Sequence, residues 1–489
     1  MTLPPCGLEP ARIEASLDAF GAGDLPWRDG RTYAYVYDAG RDVERVGTEA
    51  FARHLFTNAL DPTAFPSALA LENELLAFAC GHLGGGPEAA GTFTSGGTES
   101  ILCAVKAARD QARATRPEVT SPELVLPTTA HPAFHKAAHY LGLRVVPVDV
   151  DPASFRADPA AVARAIGPRT ILLVGSAPSY PHGVIDPIAE LGELAARHGL
   201  WLHVDACVGG FLLPWWRRLG AEVPAFDLSL PGVSSISMDF HKYAFAPKGA
   251  SVVVYRDAAL RRFQYFGCAE WPGYALVNPG VLSSKSAGPL AATWAVLQRL
   301  GDAGYLELAR RARAGTRRLV EGIAAIPGLR LLGRPDFCLV AFAADPAHSA
   351  APGVFHVADG LKARGWFVQP QLAHRGCPDS VHLSLGPENA ERVDELLRDL
   401  RLATEEARHE PSGELAALVS ARLAGRAGLP GREELEELLA LAGLSGGGLP
   451  ARMAPVLEVL SALPRPLVAE LLVDYLAGLF APAPVAGAV

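Results

Sequence analysis

Ser237-Met238-Asp239-Phe240-His241-Lys242-Tyr243 reads as a short apolar strand that ends in a His-Lys pair. Upstream, His203-Val204-Asp205-Ala206-Cys207 reads as a second strand end, this one carrying a carboxylate. A lysine amine can form a Schiff base with the aldehyde of pyridoxal 5'-phosphate (PLP). A carboxylate can keep the pyridine nitrogen of that cofactor protonated, so that its ring acts as an electron sink. Either residue alone would mean little, but Asp205 and Lys242, each at the end of its own strand, together point to PLP chemistry.

Outward from these two segments, β-rich runs alternate with helical patterns between residues 90 and 260. The expected strands are 124–126, 144–148, 170–174, 200–205, 234–238 and 251–255. A helix between the third and fourth has Asp186 as its expected cap and Pro187 in its first turn. Ile188, Leu191 and Leu194 make its apolar stripe, and Gly199 ends it. Such alternation predicts an α/β fold with a mostly parallel sheet and ligands at the carboxyl ends of the strands. A long helix near 288–325 follows. Strands near 329–332, 338–343, 366–369 and 381–385, interleaved with helices near 354–364 and 388–408, predict a smaller α+β domain. The chain then reads as helical, with Gly446-Gly447-Gly448 as an expected hinge.

The bulk properties narrow the function classes. The 489 residues carry a formal charge of −8 and no basic run, which argues against a nucleic-acid surface. Seven scattered cysteines without a Cys-x-x-Cys pair fit reduced thiols in a cytoplasm, and no secretory leader is apparent. The most apolar long stretch, 456–489, is interrupted by Glu458, Arg465, Glu470 and Asp474, so no membrane span is expected.

Thr94-Ser95-Gly96-Gly97-Thr98-Glu99-Ser100 precedes a helical pattern, and its glycines, hydroxyls and helix N-terminus suit a phosphate, although a plain helix cap has the same look. His131 follows the strand at 124–126 and is a candidate to stack on the cofactor ring. His131, His135 and His139 share i, i+4 spacing, but no acidic partner of the His-Glu-x-x-His type accompanies them, and no metal is expected. His241 is a candidate cofactor contact, and Tyr180 a candidate proton donor or a core tyrosine.

These segments, with Pro181-His182-Gly183-Val184-Ile185-Asp186-Pro187 and Ala246-Pro247-Lys248-Gly249, resemble sphingosine-1-phosphate lyases of the group II PLP-dependent decarboxylase superfamily. The resemblance runs from about residue 30 to 402 and resumes near 452–480, so 411–448 reads as an insertion. It implies fold type I, the PLP-dependent transferase-like fold, in a homodimer with shared active sites. The implied organisation is an N-terminal segment at 1–60 serving the dimer and the substrate entrance, a large PLP-binding domain at 61–300, a small domain at 301–410, and the insertion with C-terminal helices at 411–489.

The resemblance further implies Lys242 as the Schiff-base lysine, Asp205 as the ring-nitrogen partner, His131 as the stacking ring, and Gly97 and Thr98 on the cofactor phosphate. Ser283 and Ser284 resemble a stretch that reaches the phosphate from the neighbouring subunit. For the substrate, Tyr37 and Lys248 match two members of a phosphate cup. The third, a histidine in the family's Asn-Pro-Leu-His-Pro pattern, falls on Asp61 of Asn58-Ala59-Leu60-Asp61-Pro62. An aspartate facing a phosphate would cost about 1 kcal/mol or more. Of two family tyrosines near the scissile bond one matches Tyr180; the other falls on Leu276, with Tyr274 close by. The leading expectation is a carbon–carbon lyase acting on a small amine. The competing expectations are an amino-acid decarboxylase, with Lys248, Arg364 or Arg375 on a carboxylate, and an inactive scaffold.

Overall fold

The computed structural model describes residues 3–4, 6–423, 437 and 450–480. Seven strands make the large sheet: β1 (Ala90–Thr94), β2 (Glu123–Pro127), β3 (Arg144–Val148), β4 (Thr170–Ser176), β5 (Trp201–Asp205), β6 (Ser235–Asp239) and β7 (Ser251–Tyr255). Their order is β1-β7-β6-β5-β4-β2-β3, and only β7 runs against the rest. β2, β4, β5, β6 and β7 are buried along their whole length, as expected of a sheet with helices on both faces. The expected mostly parallel α/β sheet is therefore present, with six strand carboxyl ends on one edge.

In and around the large sheet, two features depart from the sequence reading. β1 was not among the expected strands. Its sequence, Ala-Gly-Thr-Phe-Thr, lacks a β-branched run, and it is held by pairing with β7, with Gly91 pressed against Leu76 and the Val253 carbonyl. Asp186 does not cap the helix Ile188–His198. Its buried carboxylate instead accepts the N–H groups of Ala157 and Ser176, at 2.8 Å each. Ile188, Leu191 and Leu194 are buried as expected, and Gly199 ends the helix in the left-handed region.

A two-stranded hairpin, β8 (Phe266–Cys268) and β9 (Leu276–Asn278), leads to the helix Gly288–Ala324, which is interrupted at Gly301. The smaller domain is an antiparallel sheet in the order β10 (Leu329–Leu331), β11 (Leu339–Ala344), β13 (Ser380–Ser384), β12 (Gln369–Gln371). The strand expected at 366–369 begins three residues later. Phe367 is occupied elsewhere, exchanging backbone hydrogen bonds with Arg31 and Tyr33 of the N-terminal segment. Pro370 is tolerated because β12 is an edge strand.

The two domains meet closely. A Cβ at Gly183 would overlap the Leu339 carbonyl, and the Ile185 N–H donates to Asp336 at 2.7 Å. Helix Glu414–Leu423 packs with helices Ala454–Ala462 and Arg465–Leu479 around Val419, Val459 and Leu467. The expected Gly446–Gly448 hinge lies outside the described residues, as does most of the 411–448 stretch. Among the described residues no helix is long and apolar enough to cross a membrane.

Glu388 offers a test of the packing. Both of its carboxylate oxygens are buried without a hydrogen-bond partner of good geometry. Burial pushes its pKa up to about 8, an effect only partly offset by nearby backbone N–H groups. An acid whose folded pKa is raised contributes stability at low pH that is lost as pH rises through the folded value. Glu388→Gln should therefore melt above the parent by a margin that widens from about pH 5 to about pH 9, as followed by circular dichroism.

Candidate active site

The carboxyl ends of five strands open into one cavity of about 540 Å³. After β1 come Ser95, Gly96, Gly97 and Thr98, the last two being the first residues of the helix Gly97–Thr115. His131 follows β2, Tyr180 follows β4, Asp205 and Cys207 close β5, and Asp239, His241 and Lys242 close β6. Tyr35 and Tyr37 of the N-terminal segment and Gln369 of β12 complete the walls, with Lys248 at the rim. The fold thus brings Asp205, Lys242, His131, Tyr180, Gly97, Thr98, His241, Tyr37 and Lys248 to a single site.

At the centre, Lys242 Nζ lies 2.9 Å from Asp239 Oδ2. Burial works against the ammonium, but the Asp239 carboxylate outweighs it, and the net effect holds the lysine pKa above its ordinary value. Asp205 is buried, and one of its oxygens accepts the Cys207 N–H at 3.1 Å. The Gly96-Gly97 turn is braced by Glu99. One of its oxygens accepts both the N–H and the hydroxyl of Ser95, at 2.7 and 2.6 Å, and the other accepts the Val281 N–H at 2.7 Å.

His131 Nδ1 accepts the Ala133 N–H at 3.2 Å, which fixes its ring at the cavity wall. Tyr180 stacks on His382 and donates to Gln369 Oε1 at 2.5 Å. Lys248 Nζ sits 4.8 Å from the Tyr37 ring centroid and donates to the carbonyls of Tyr35 and His241, at 3.1 and 3.4 Å. Although the Lys248 side chain keeps access to solvent, desolvation and then the Lys242 charge push its pKa down to about 8.

Six residues expected at the site are not brought to the cavity. Asp61 is exposed, and its carboxylate is taken up by the N–H and hydroxyl of Thr63, at 2.8 and 2.6 Å, in the turn before the helix Pro66–His82. Tyr274 is 60% exposed on the β8–β9 hairpin, packed against Trp271. Ser283 and Ser284 are exposed and line neighbouring clefts of the same chain. Arg364 and Arg375 are paired with Glu406 and Asp149, away from the site.

Conversely, the sequence reading assigned no role to Asp239, Cys207, Glu99, Tyr35 or Gln369. Asp239 and Cys207 sit inside the quoted strand ends, so their positions gave a usable signal. Gln369 arrives from the other domain and has no local one. Among the described residues no cluster of three or more His, Cys, Asp or Glu side chains could hold a metal ion.

The residues fit PLP. A Cβ on Gly97 would lie 2.7 Å from Cys207 Sγ and 3.0 Å from the Asp239 oxygens, so only glycine keeps this part of the cradle open. A lysine and a buried carboxylate face the same space from adjacent strands. A profile of the family described as "Pyridoxal-dependent decarboxylase conserved domain" matches residues 25–344. The chain belongs to this family and is PLP-dependent.

Within the pyridoxal-dependent decarboxylase family the chain is most usefully set beside lyases. It is 39% identical over 429 residues to the sphingosine-1-phosphate lyase of Arabidopsis thaliana, covering 85% of this chain and 76% of that one. The structure of the sphingosine-1-phosphate lyase of Burkholderia pseudomallei K96243 matches with a TM-score of 0.79 at 36% identity, over 88% of this chain and 98% of that one. A Methanothermobacter thermautotrophicus protein named "Probable L-tyrosine/L-aspartate decarboxylase" is 34% identical over 374 residues, 75% of this chain and 98% of that one. A second family profile, named for a C-terminal helix-turn-helix domain of pyridoxal-dependent enzymes, matches residues 413–478. That match spans both the expected insertion and the helices beyond it.

Two substitutions test the cradle. Lys242→Ala should abolish the visible absorbance of lysine-linked PLP while leaving the far-ultraviolet circular dichroism unchanged. Gly97→Ala should raise the dissociation constant for PLP by about tenfold or more in an absorbance titration.

Proposed function

We propose that the protein is a PLP-dependent carbon–carbon lyase that splits a phosphorylated β-hydroxy amine into an aldehyde and an amine. The observation that carries this reading is Lys248: a cation at the cavity rim with no carboxylate partner among the described residues, beside Tyr37. Asp61, the residue expected to repel a phosphate there, has its charge engaged on an exposed turn instead.

When bound, PLP supplies an electron sink for the bond next to the substrate amine. Lys242 Nζ would hold the cofactor, and Asp205 would keep its ring nitrogen protonated. The hydroxyl on the departing carbon must lose its proton as the bond breaks, and Lys242 Nζ, once free, is the base available within the cavity. The hydroxyl proton of Tyr180 is directed to Gln369, so its oxygen presents lone pairs that can orient the substrate hydroxyl. Lys248 and Tyr37 bind the substrate phosphate.

We also read the protein as a homodimer. The helix Pro10–Gly21 has no buried residue, Phe20 and Phe56 are 84% and 93% exposed, and Phe266, Val277 and Val281 add further bare apolar surface. A second copy would cover this surface and bring its own Ser283 and Ser284 segment near the site.

Product analysis tests the reaction. Aldehyde released in equal amount to substrate consumed is expected with phosphorylated β-hydroxy amines, and CO₂ release alone across a panel of amino acids would overturn the assignment. Lys248→Met should raise KM for the phosphorylated substrate by about ten- to hundredfold with a smaller effect on kcat. In the parent enzyme KM should climb as pH rises through about 8, where Lys248 loses its charge.

A further inference from the structure

The carboxylate in contact with Lys242 is Asp239, three residues before it, and not the ring-nitrogen partner Asp205. The two carboxylates end adjacent strands, but Asp239 is set deeper, at 1% exposure. Its surroundings fix both its position and its charge. Ser251 Oγ donates to Asp239 Oδ1 at 2.6 Å. Ser100 Oγ lies 2.8 Å from Ser251 Oγ, and Thr94 Oγ1 lies 2.6 Å from Ser100 Oγ.

An ionised carboxylate only accepts, so the direction of this chain is set. The Ser251 proton points to Asp239, the Ser100 proton to Ser251, and the Thr94 proton to Ser100. Three buried hydroxyls thus donate in series toward Asp239, starting from the strand that leads into the phosphate turn. Burial alone would favour the neutral acid, but Lys242, His241 and Ser251 together keep the carboxyl below its ordinary pKa.

We propose that Asp239 is a positioning residue for Lys242, docking the ε-ammonium whenever the lysine is not joined to the cofactor and so setting the pH above which its amine can react. The inference rests on the reading of Lys242 as the cofactor lysine. Joining the cofactor forms a C=N bond at Nζ, and the aldehyde oxygen leaves as water with the two amine protons. The third proton of the ammonium must be lost beforehand, and the docking contact is what retains it. The same contact receives the ammonium formed when Lys242 takes a proton from substrate.

The other groups facing Lys242 do not replace Asp239. Cys207 and Asp205 approach from the end of β5, Tyr37 from the N-terminal segment, Tyr180 from the loop after β4, and His241 and Lys248 from beyond β6. His241 and Lys248 oppose a second positive charge. The Cys207 thiol is held neutral, its pKa pushed well up first by burial and then by the charge of Asp205.

The test uses the full-length chain stripped of cofactor. Pulses of acetic anhydride at stepped pH acylate only unprotonated amines, and mass spectrometry of the Lys242 peptide gives the midpoint for that site separately from the chain's other lysines. Asp239→Asn should lower the Lys242 midpoint by about 1–3 pH units and leave that of the remote Lys362 in place. Asp239→Ser, a smaller neutral residue able to keep a bond to Ser251, should do the same if the asparagine variant does not fold. A Lys242 midpoint equal to the parent's in either folded variant overturns the proposal.

Borohydride reduction of the reloaded parent enzyme, followed by peptide mapping, judges the underlying reading separately. PLP trapped on a lysine other than Lys242 would sink that reading, whereas an unchanged acylation midpoint would sink only the role of Asp239.

Discussion

The centre of the site depends on one constraint: six strands of the large sheet run the same way, so their carboxyl ends share an edge. A buried parallel sheet has to be covered on both faces, and its crossover helices occupy that space. The polar groups at the strand ends are left to face the crevice at the edge. Asp205 and Asp239 lie on neighbouring strands for this reason, although 34 positions separate them in sequence, and the Gly96-Gly97 turn joins them because β1 is stitched to β7 beside β6.

The electrostatics follow from that placement. A cavity lined by two lysines, three carboxylates and a buried thiol concentrates opposed charges, so small displacements change protonation. The structure separates the two cations by partner. Lys242 is matched by a fixed carboxylate, whereas Lys248 has only carbonyls and an aromatic face. One is held charged, and the other loses charge more readily and is left free to meet an anion.

Residues carried by a local pattern were legible in the sequence. Asp205, Lys242 and the Gly96-Gly97 turn each sit where a strand gives way to a turn or helix, and short-range physics reads that well. What failed was non-local, with one exception. Asp61 was placed by analogy with a family position, but its carboxylate is consumed two residues on, by Thr63. Asp186 has the look of a helix cap, yet it serves two backbone N–H groups from other segments. β1 has weak strand character of its own and is a strand because β7 lies next to it. Gln369 enters the site only through the packing of a second domain, and no spacing rule links it to Tyr180, 189 positions earlier.

The Tyr180–Gln369 hydrogen bond joins the end of a large-sheet strand to an edge strand of the small sheet, across the wall of the cavity. It is a latch between two bodies, and its strength of about 1 kcal/mol is comparable to thermal energy. A substrate that recruits the phenol oxygen competes with or reinforces this latch directly. On the proposed reading, substrate recognition and one of the contacts that couple the two domains share the same pair of side chains.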